Sequence, residues 1–140
     1  MKKILFVCTG NTCRSKMAEV IATTLSKQRG LKGVKFYSAG LNIVPDSHTT
    51  AEAINALASL GYKTKPTSAT QFTLPMIKKY DRIITMTPYQ KAALPPLDKI
   101  SSMYPSIVDP YGEDESFYIE CAKQLTYCIE KLIIELGETK

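Results

Sequence analysis

Residue types that bind and attack anionic groups are concentrated in one stretch near the N-terminus, Cys8-Thr9-Gly10-Asn11-Thr12-Cys13-Arg14-Ser15. Arg14 can offer a planar guanidinium fork to two oxygens of a phosphoryl group. Gly10 lets the backbone turn where a side chain would clash. Cys8 stands at the base of the stretch, so its sulfur would lie beneath a phosphate held by the curled loop. The spacing therefore predicts a phosphate-binding loop with a cysteine nucleophile.

The elements on either side place this loop where a strand ends and a helix begins. A continuous apolar run predicts a buried strand over Lys3–Cys8, and helical spacing predicts a helix over Met17–Arg29. A loop in that position points successive backbone N–H groups at one spot, and the helix N-terminus adds the positive end of its dipole. This electropositive setting should hold the Cys8 sulfur as the thiolate, which is the nucleophilic form.

Strand and helix patterns alternate along the rest of the chain. They predict further strands over Val34–Ala39 and Arg82–Met86, with Ile107–Val108 as a fourth strand. A second helix is expected to begin at Thr49, with Glu52 in a capping box, and to end at Gly61. A proline-containing loop or broken helix is expected over Leu94–Ser106, and a last helix over Glu115–Leu136. The fold expected is α/β, a small doubly wound four-stranded parallel sheet with helices on both faces. In such sheets the site lies at the carboxyl ends of the strands, where the topology reverses.

The composition is that of an ordinary globular chain. With 140 residues, 44% of them hydrophobic and 22% charged, residues 1–140 are expected to form a single domain and global disorder is excluded. Eighteen Lys and Arg against 13 Asp and Glu leave a net charge of +5, which suits an anionic partner. The positive charge is not gathered in one run and no nucleic-acid motif is present, so no nucleic-acid partner is expected. A monomer is expected.

The short apolar runs argue against a secreted or membrane protein, and the few metal-ligating residues argue against a metalloprotein. The run Ile4–Val7 is too short for a signal peptide or a membrane span, so a cytoplasmic protein without a membrane partner is expected. Four cysteines in such a chain are expected to be free thiols. With one histidine and no C-x-x-C pair, no metal site is predicted, and no cofactor.

Four segments spread along the chain match one known family. These are the stretch CTGNTCRS followed by Met17-Ala18-Glu19, then Ser38-Ala39-Gly40 at the end of the second strand, Tyr80 to Met86 around the third strand, and Asp109-Pro110-Tyr111-Gly112. Together they resemble the low-molecular-weight protein tyrosine phosphatases over nearly the whole chain. The resemblance implies the flavodoxin-like phosphatase fold of that family.

The resemblance also implies a role for each matching residue. Cys8 would form a phosphocysteine, and Arg14 would bind phosphate and stabilise the transferring group. Asp109 would protonate the leaving group and then act as base for the water that releases inorganic phosphate. The phosphate-binding residues would be Thr9, Gly10, Asn11, Thr12, Cys13, Arg14 and Ser15, mainly through backbone amides. Three residues would brace the loop, namely Asn11, Ser15 and Ser38, and Ser15 would also hydrogen-bond the thiolate.

Two positions depart from the family pattern. Lys16 stands where a proline usually starts the helix, and Thr67 stands at a position that is often a loop-bracing histidine. Proline suits the first helical turn well. A lysine is unfavourable beside the positive end of the helix dipole, although it adds charge near an anionic substrate. Both departures concern the geometry of the loop and leave the reaction unchanged.

The substrate within this family is left open between two classes of phosphorylated protein. Phosphotyrosine enzymes usually have a larger aliphatic residue at the position of Thr12, whereas bacterial members with threonine in the run GNTCRS resemble the protein arginine phosphatases. The Thr12 hydroxyl could meet a guanidinium group, and Tyr111 could pack on either an aryl ring or a guanidinium plane. The sequence favours phosphoarginine slightly, with phosphotyrosine close behind.

The other thiols bear on an alternative function, arsenate reduction. Thioredoxin-coupled arsenate reductases have a similar loop but need two more cysteines just after the third strand, and residues 85–94 contain none. The remaining thiols, Cys121 and Cys128, are predicted to lie in the core on the last helix, so this function is disfavoured. Cys13 is either structural or the partner of an oxidised Cys8 in a reversible disulfide.

Overall fold

The computed structural model describes residues 1–138, and within them strands alternate with helices. The elements are β1 (Lys2–Cys8), α1 (Arg14–Gln28), β2 (Val34–Gly40), α2 (Ala51–Ser59), α3 (Met76–Lys79), β3 (Arg82–Thr85), α4 (Pro88–Ala92), β4 (Ile100–Ser102) and α5 (Glu115–Glu138). All neighbouring strands are parallel and lie in the order β2-β1-β3-β4. The predicted four-stranded parallel α/β sheet is confirmed. None of the helices in this range has the length and apolar character needed to cross a bilayer.

The central strand β1 is buried on both faces, as its unbroken apolar run predicts. Ile4 and Phe6 pack in one core cluster with residues of α1, α2 and α5. Leu5 and Val7 point to the opposite face and pack in a second cluster near α3. The chain leaves β1 on one side to form β2 and later returns on the other side as β3. The topology therefore reverses at the carboxyl end of β1, which is where the loop after Cys8 begins.

The fourth strand lies elsewhere than predicted. The sequence indicated Ile107–Val108, but β4 is Ile100–Ser102, inside the segment expected to be a loop. This strand fits between Pro96 and Pro105 and pairs with β3 alone, so it needs hydrogen bonds on one side only and leaves little pattern in the sequence. Ile107 is fully buried just beyond the sheet, where its N–H donates to the carbonyl that follows β3 at 2.9 Å.

The first helix begins earlier than its apolar stripe suggests. The predicted start was Met17, the first fully buried apolar residue, whereas α1 begins at Arg14 with Cys13 as the N-cap residue. No side chain caps this end of the helix. The first amides of α1 thus remain available to an anion at the end of the loop.

The second helix is capped by a different threonine from the one predicted. Thr50 is the N-cap residue, and its hydroxyl accepts a hydrogen bond from the Ala53 N–H at 3.2 Å. The predicted capping box of Thr49 with Glu52 is therefore wrong. The Thr49 hydroxyl is engaged elsewhere, because it accepts from the Thr67 N–H at 3.1 Å and lies 3.3 Å from the Thr67 carbonyl.

Gly40, at the end of β2, lets the backbone of the loop approach the sheet closely. It pairs with Cys8 across the two strands. A Cβ at this position would lie 2.7 Å from the Thr9 carbonyl oxygen, 2.8 Å from Ile43 and 3.0 Å from Asn11. Real side chains do not make contacts this short with backbone, so a larger residue must displace the loop.

We predict that Gly40→Ala lowers the free energy of unfolding by about 1–3 kcal/mol, the usual cost of overpacking, and lowers any activity that depends on the loop, because the loop shifts. Gly137→Ala is the matched control, since no atom lies within 4 Å of a Cβ there. Urea denaturation and steady-state turnover measure both effects. Equal behaviour of the two variants would show that the approach at Gly40 has no consequence.

Candidate active site

The loop after β1 is held in shape by Asn11, which is fully buried and has a left-handed backbone with φ of 54°. Asparagine tolerates this conformation better than most residues. Its side-chain amide donates to the Ser15 hydroxyl at 2.7 Å, and its Oδ1 accepts from the Thr70 N–H at 2.8 Å. Asn11 therefore joins both ends of the loop to the neighbouring 67–70 segment.

Cys8 lies at the base of the loop with polar groups directed at its sulfur. The thiol is buried, its Sγ is 2.8 Å from the Ser15 hydroxyl, and the Asn11 N–H donates to it at 3.3 Å. Because the Ser15 oxygen already accepts from the Asn11 amide, its own proton is available for the sulfur. Donors of this kind stabilise an anionic acceptor. The Cys8 sulfur is therefore placed as a hydrogen-bond acceptor at the base of the loop.

Arg14 and Asp109 face each other at the mouth of the site. The Arg14 side chain is 8% exposed, and its Nη1 donates to the Ile107 carbonyl at 3.0 Å. Its Nη2 lies 3.6 Å from the Asp109 carboxylate, which is 53% exposed and also accepts from the Tyr111 N–H at 3.1 Å. The arrangement places a fixed cation at the loop and an accessible carboxyl group above it.

These groups line one cavity of about 340 Å³. Its lining includes every residue that the sequence assigned to catalysis or to the substrate pocket, namely Cys8, Thr12, Arg14, Asp109 and Tyr111. It also includes residues that the sequence reasoning missed: Asn42, Val44, Ser47, Thr50 and Tyr118. Tyr118 lies within the predicted last helix, and burial raises its pKa. The other four lie in or beside the β2–α2 connection, where no periodic pattern marks them.

The Ser38 hydroxyl, which was expected to brace the loop, forms its hydrogen bond with α1. It donates to the Glu19 carboxylate at 2.6 Å, which joins β2 to the second turn of α1. The expectation came from the family pattern, whereas the hydrogen bond that the structure gives this side chain is to α1.

Cys13 is in contact with a thiol on α5. Hydrogen bonding to Cys121 and burial together raise the pKa of the Cys13 thiol well above its usual range. Cys121 is buried as predicted, but it is not remote from the loop, and its sulfur also lies 3.8 Å from the Val108 carbonyl. Cys128 is buried further along α5, near the Tyr104 carbonyl. Both thiols of α5 are therefore buried as predicted, and Cys121 is the one that lies near the loop.

No group of three or more His, Cys, Asp or Glu side chains within residues 1–138 is arranged to hold a metal ion. The polar groups of the cavity are instead those suited to an oxyanion: the loop amides, a guanidinium and hydroxyls. A buried cysteine beneath such a cradle, opposite a carboxyl group, defines a cysteine-dependent phosphatase site.

Comparison with known proteins agrees with this class. A model of the low molecular weight phosphotyrosine protein phosphatase family matches residues 3–140. The protein-arginine-phosphatase of Bacillus subtilis (strain 168) is 27% identical over 148 residues, 98% of each chain. The low molecular weight protein-tyrosine-phosphatase PtpB of Staphylococcus haemolyticus (strain JCSC1435) is 32% identical over 140 residues, 93% of this chain and 96% of that protein.

A solved structure of a YwlE arginine phosphatase mutant, with a phosphorylated active-site serine, has a TM-score of 0.89 and 26% identity, covering 96% of this chain and 95% of the other. The chain belongs to the low molecular weight phosphotyrosine protein phosphatase family. It is a hydrolase of the cysteine phosphatase type.

The redox pairing of Cys8 with Cys13 stays a prediction, and the raised pKa of Cys13 implies that the pair forms slowly, because the thiolate is the attacking species. We expect mild peroxide to inactivate the enzyme and thiol to restore it, with a Cys8–Cys13 disulfide visible by mass spectrometry. Cys13→Ala should be harder to rescue, and Cys128→Ser should behave as wild type. A Cys13 thiol that stays reduced while Cys8 is overoxidised would make Cys13 structural.

Proposed function

We propose that the protein dephosphorylates phosphorylated proteins through a phosphocysteine intermediate, with phosphoarginine slightly favoured over phosphotyrosine. The observation behind this proposal is the convergence of Cys8, Arg14 and Asp109 on one cavity. Inorganic phosphate is the second product. We further propose a monomer that acts in the cytoplasm. Water is the only other reactant that the proposed reaction needs.

In the first step the Cys8 thiolate attacks phosphorus from beneath the loop, and the bond to the leaving group breaks on the opposite side. Charge spreads over the three equatorial oxygens, where the amides of the loop and the Arg14 fork stabilise it. Asp109 lies on the open side of the cavity, and as an acid it donates its proton to the leaving oxygen or nitrogen. A phosphocysteine and the free side chain of the substrate result.

In the second step the same carboxylate takes a proton from water, which attacks phosphorus, and the Cys8 thiolate leaves. The half-exposed position of Asp109 supports this use, because both the leaving group and the water arrive from solvent. Its hydrogen bond from the Tyr111 N–H orients the carboxyl group. The phosphorylated active-site serine in the related structure supports the loop nucleophile as the residue that receives phosphate.

The substrate preference rests on Thr12. This side chain is half-buried in the cavity wall, and its hydroxyl lies across the loop from Gly10. A hydroxyl can hydrogen-bond a planar guanidinium, whereas an aliphatic side chain there would leave guanidinium N–H groups unpaired. Tyr111 is 82% exposed on the other side of the cavity, where its ring can stack on either substrate. Relatives bear both names, so they support the two substrate classes equally.

The role of Asp109 is tested with Asp109→Asn. We expect turnover to fall by about 10²–10⁴-fold on phosphopeptides, whose leaving groups need a proton, and to fall much less on an activated aryl phosphate. Asp98→Asn, an exposed carboxylate that does not line the cavity, is the control, and Cys8→Ser gives the inactive baseline. Equal losses on both kinds of substrate would point to a misplaced loop and argue against acid catalysis by Asp109.

The substrate class is tested by comparing kcat/KM on a phosphoarginine and a phosphotyrosine peptide for wild type and Thr12→Ile. Phosphoarginine turnover should fall by at least roughly tenfold in the variant, the scale of one lost buried hydrogen bond, while phosphotyrosine turnover holds or rises. Unchanged inhibition by inorganic phosphate would show that the loop is intact. A wild type that prefers phosphotyrosine, with a ratio unaffected by Thr12→Ile, would establish phosphotyrosine as the substrate.

A further inference from the structure

Lys16 is a buried cation in an unfavourable place. It lies in the first turn of α1, two residues after Arg14, and is only 7% exposed. Lysine is rarely buried this deeply without a partner, and the N-terminal turn of a helix disfavours positive charge. Its ammonium donates to the Ser68 carbonyl at 2.9 Å, a contact across 52 positions of sequence. That contact gives the buried ammonium a hydrogen-bond acceptor.

The segment that Lys16 reaches is the one that supports the loop from outside. The Thr70 N–H in this segment donates to Asn11 Oδ1 at 2.8 Å. The backbone N–H of Thr49 donates to the Thr67 carbonyl at 3.0 Å, and the next residue, Thr50, donates its N–H to the Thr12 carbonyl at 3.0 Å. The 67–70 segment therefore contacts the loop both directly and through the start of α2.

These contacts form a closed path around the nucleophile. It runs from the Lys16 ammonium to Ser68, along the backbone to Thr70, through Asn11 to Ser15, and back to α1, which contains both Ser15 and Lys16. The Ser15 hydroxyl in this path contacts Cys8 Sγ. A change at Lys16 therefore has a direct structural route to the groups that face the sulfur.

We propose that Lys16 is a positioning residue for the phosphate loop, which fixes the 67–70 segment behind Asn11 and adds a second positive charge behind Arg14. The proposal rests on the proposed function only in taking a phosphoryl group as the anion. It also relates the two departures from the family pattern. Thr67 lacks the imidazole often found in this segment, and Lys16 supplies a polar contact there from the helix side, which a proline could not make.

The electrostatics are consistent with this position. Burial lowers the pKa of Lys16, while the negative charges of Glu19 and of the Cys8 thiolate act to raise it. The Lys16 ammonium is thus within electrostatic range of the Cys8 thiolate, while its hydrogen bond goes to the Ser68 carbonyl. Other charged or titratable groups also face this region, namely Arg14 on α1, Asp109 above the cavity, and the Cys13 thiol, whose titration is itself affected by both Cys8 and Asp109.

The test compares Lys16→Met, Lys16→Gln and Lys16→Arg with Lys27→Met, an exposed lysine in the last turn of the same helix. Two readouts are independent of turnover: the affinity for inorganic phosphate by calorimetry, and the pH profile of Cys8 alkylation by iodoacetamide. For Lys16→Met we expect phosphate affinity to fall about 3- to 10-fold and the midpoint of the alkylation profile to rise by about 0.5–1 pH unit, as when a nearby cation is removed from an anion.

Lys16→Arg should recover most of both properties, Lys16→Gln should fall between because it keeps a donor without the charge, and Lys27→Met should match wild type. If Lys16→Met does not fold, the phosphate affinity and alkylation midpoint of Lys16→Gln decide whether the proposal holds. Unchanged phosphate affinity and alkylation midpoint in the folded neutral variants would overturn the proposal and make Lys16 a packing residue. Failure of the wild type to hydrolyse either phosphopeptide would reject the proposed function while these two measurements still decide the role of Lys16.

Discussion

The active site depends on one strained and buried residue. Asn11 adopts a left-handed backbone that costs about 1–2 kcal/mol in most L-residues, and it does so with no exposure to solvent. Its side chain and N–H offset this cost through three contacts, to Ser15, to the Thr70 amide and to the Cys8 sulfur. The turn at Asn11 curls the loop, so that its backbone amides and the sulfur can face the same volume. The curled loop passes directly over Gly40, and it can do so because Gly40 has no side chain.

The parts of this structure that the sequence could predict are those with local signals. The apolar run of β1, the helical pattern of α5 and the spacing from Cys8 to Arg14 are each visible within one segment, and the structure has a strand, a helix and a curled loop at these positions. The errors came from long-range packing. Thr49 and Thr50 are both suitable N-cap residues for α2. The hydrogen bond from the Thr67 N–H to the Thr49 hydroxyl, which only the fold reveals, leaves Thr50 as the cap. The β4 strand has only three residues and one neighbour. The contact of Cys13 with Cys121 depends on how α5 packs on α1, which no spacing in the sequence reveals.

The pairing of Arg14 with Asp109 connects binding to proton transfer. In the structure the guanidinium lies 3.6 Å from the carboxylate, and the Ile107 carbonyl anchors its other nitrogen. Phosphoryl oxygens in the cavity would compete with Asp109 for this guanidinium, because a bidentate contact to phosphate is stronger than a single long ion pair. In the proposed mechanism, Asp109 then keeps its hydrogen bond from the Tyr111 N–H and can direct its other oxygen toward the leaving group. Ile107 was misread as a strand residue, and its carbonyl in fact orients the arginine.

The division between a fixed loop and variable walls explains how one family can include both phosphoarginine and phosphotyrosine enzymes. In the proposed reaction, backbone amides and Arg14 stabilise the transferring phosphoryl group. They contact the same three equatorial oxygens whichever side chain bears the phosphate. Discrimination must therefore come from groups beside the leaving atom, and the proposed function assigns this role to the half-buried Thr12 and the exposed Tyr111, which both line the cavity. An exposed aromatic ring accepts either a phenol or a guanidinium plane, so it discriminates weakly. Under the proposed function, the half-buried Thr12 discriminates more strongly, because a hydroxyl beside the leaving group can pair with a hydrogen-bonding substrate and gives no such contact to an apolar one.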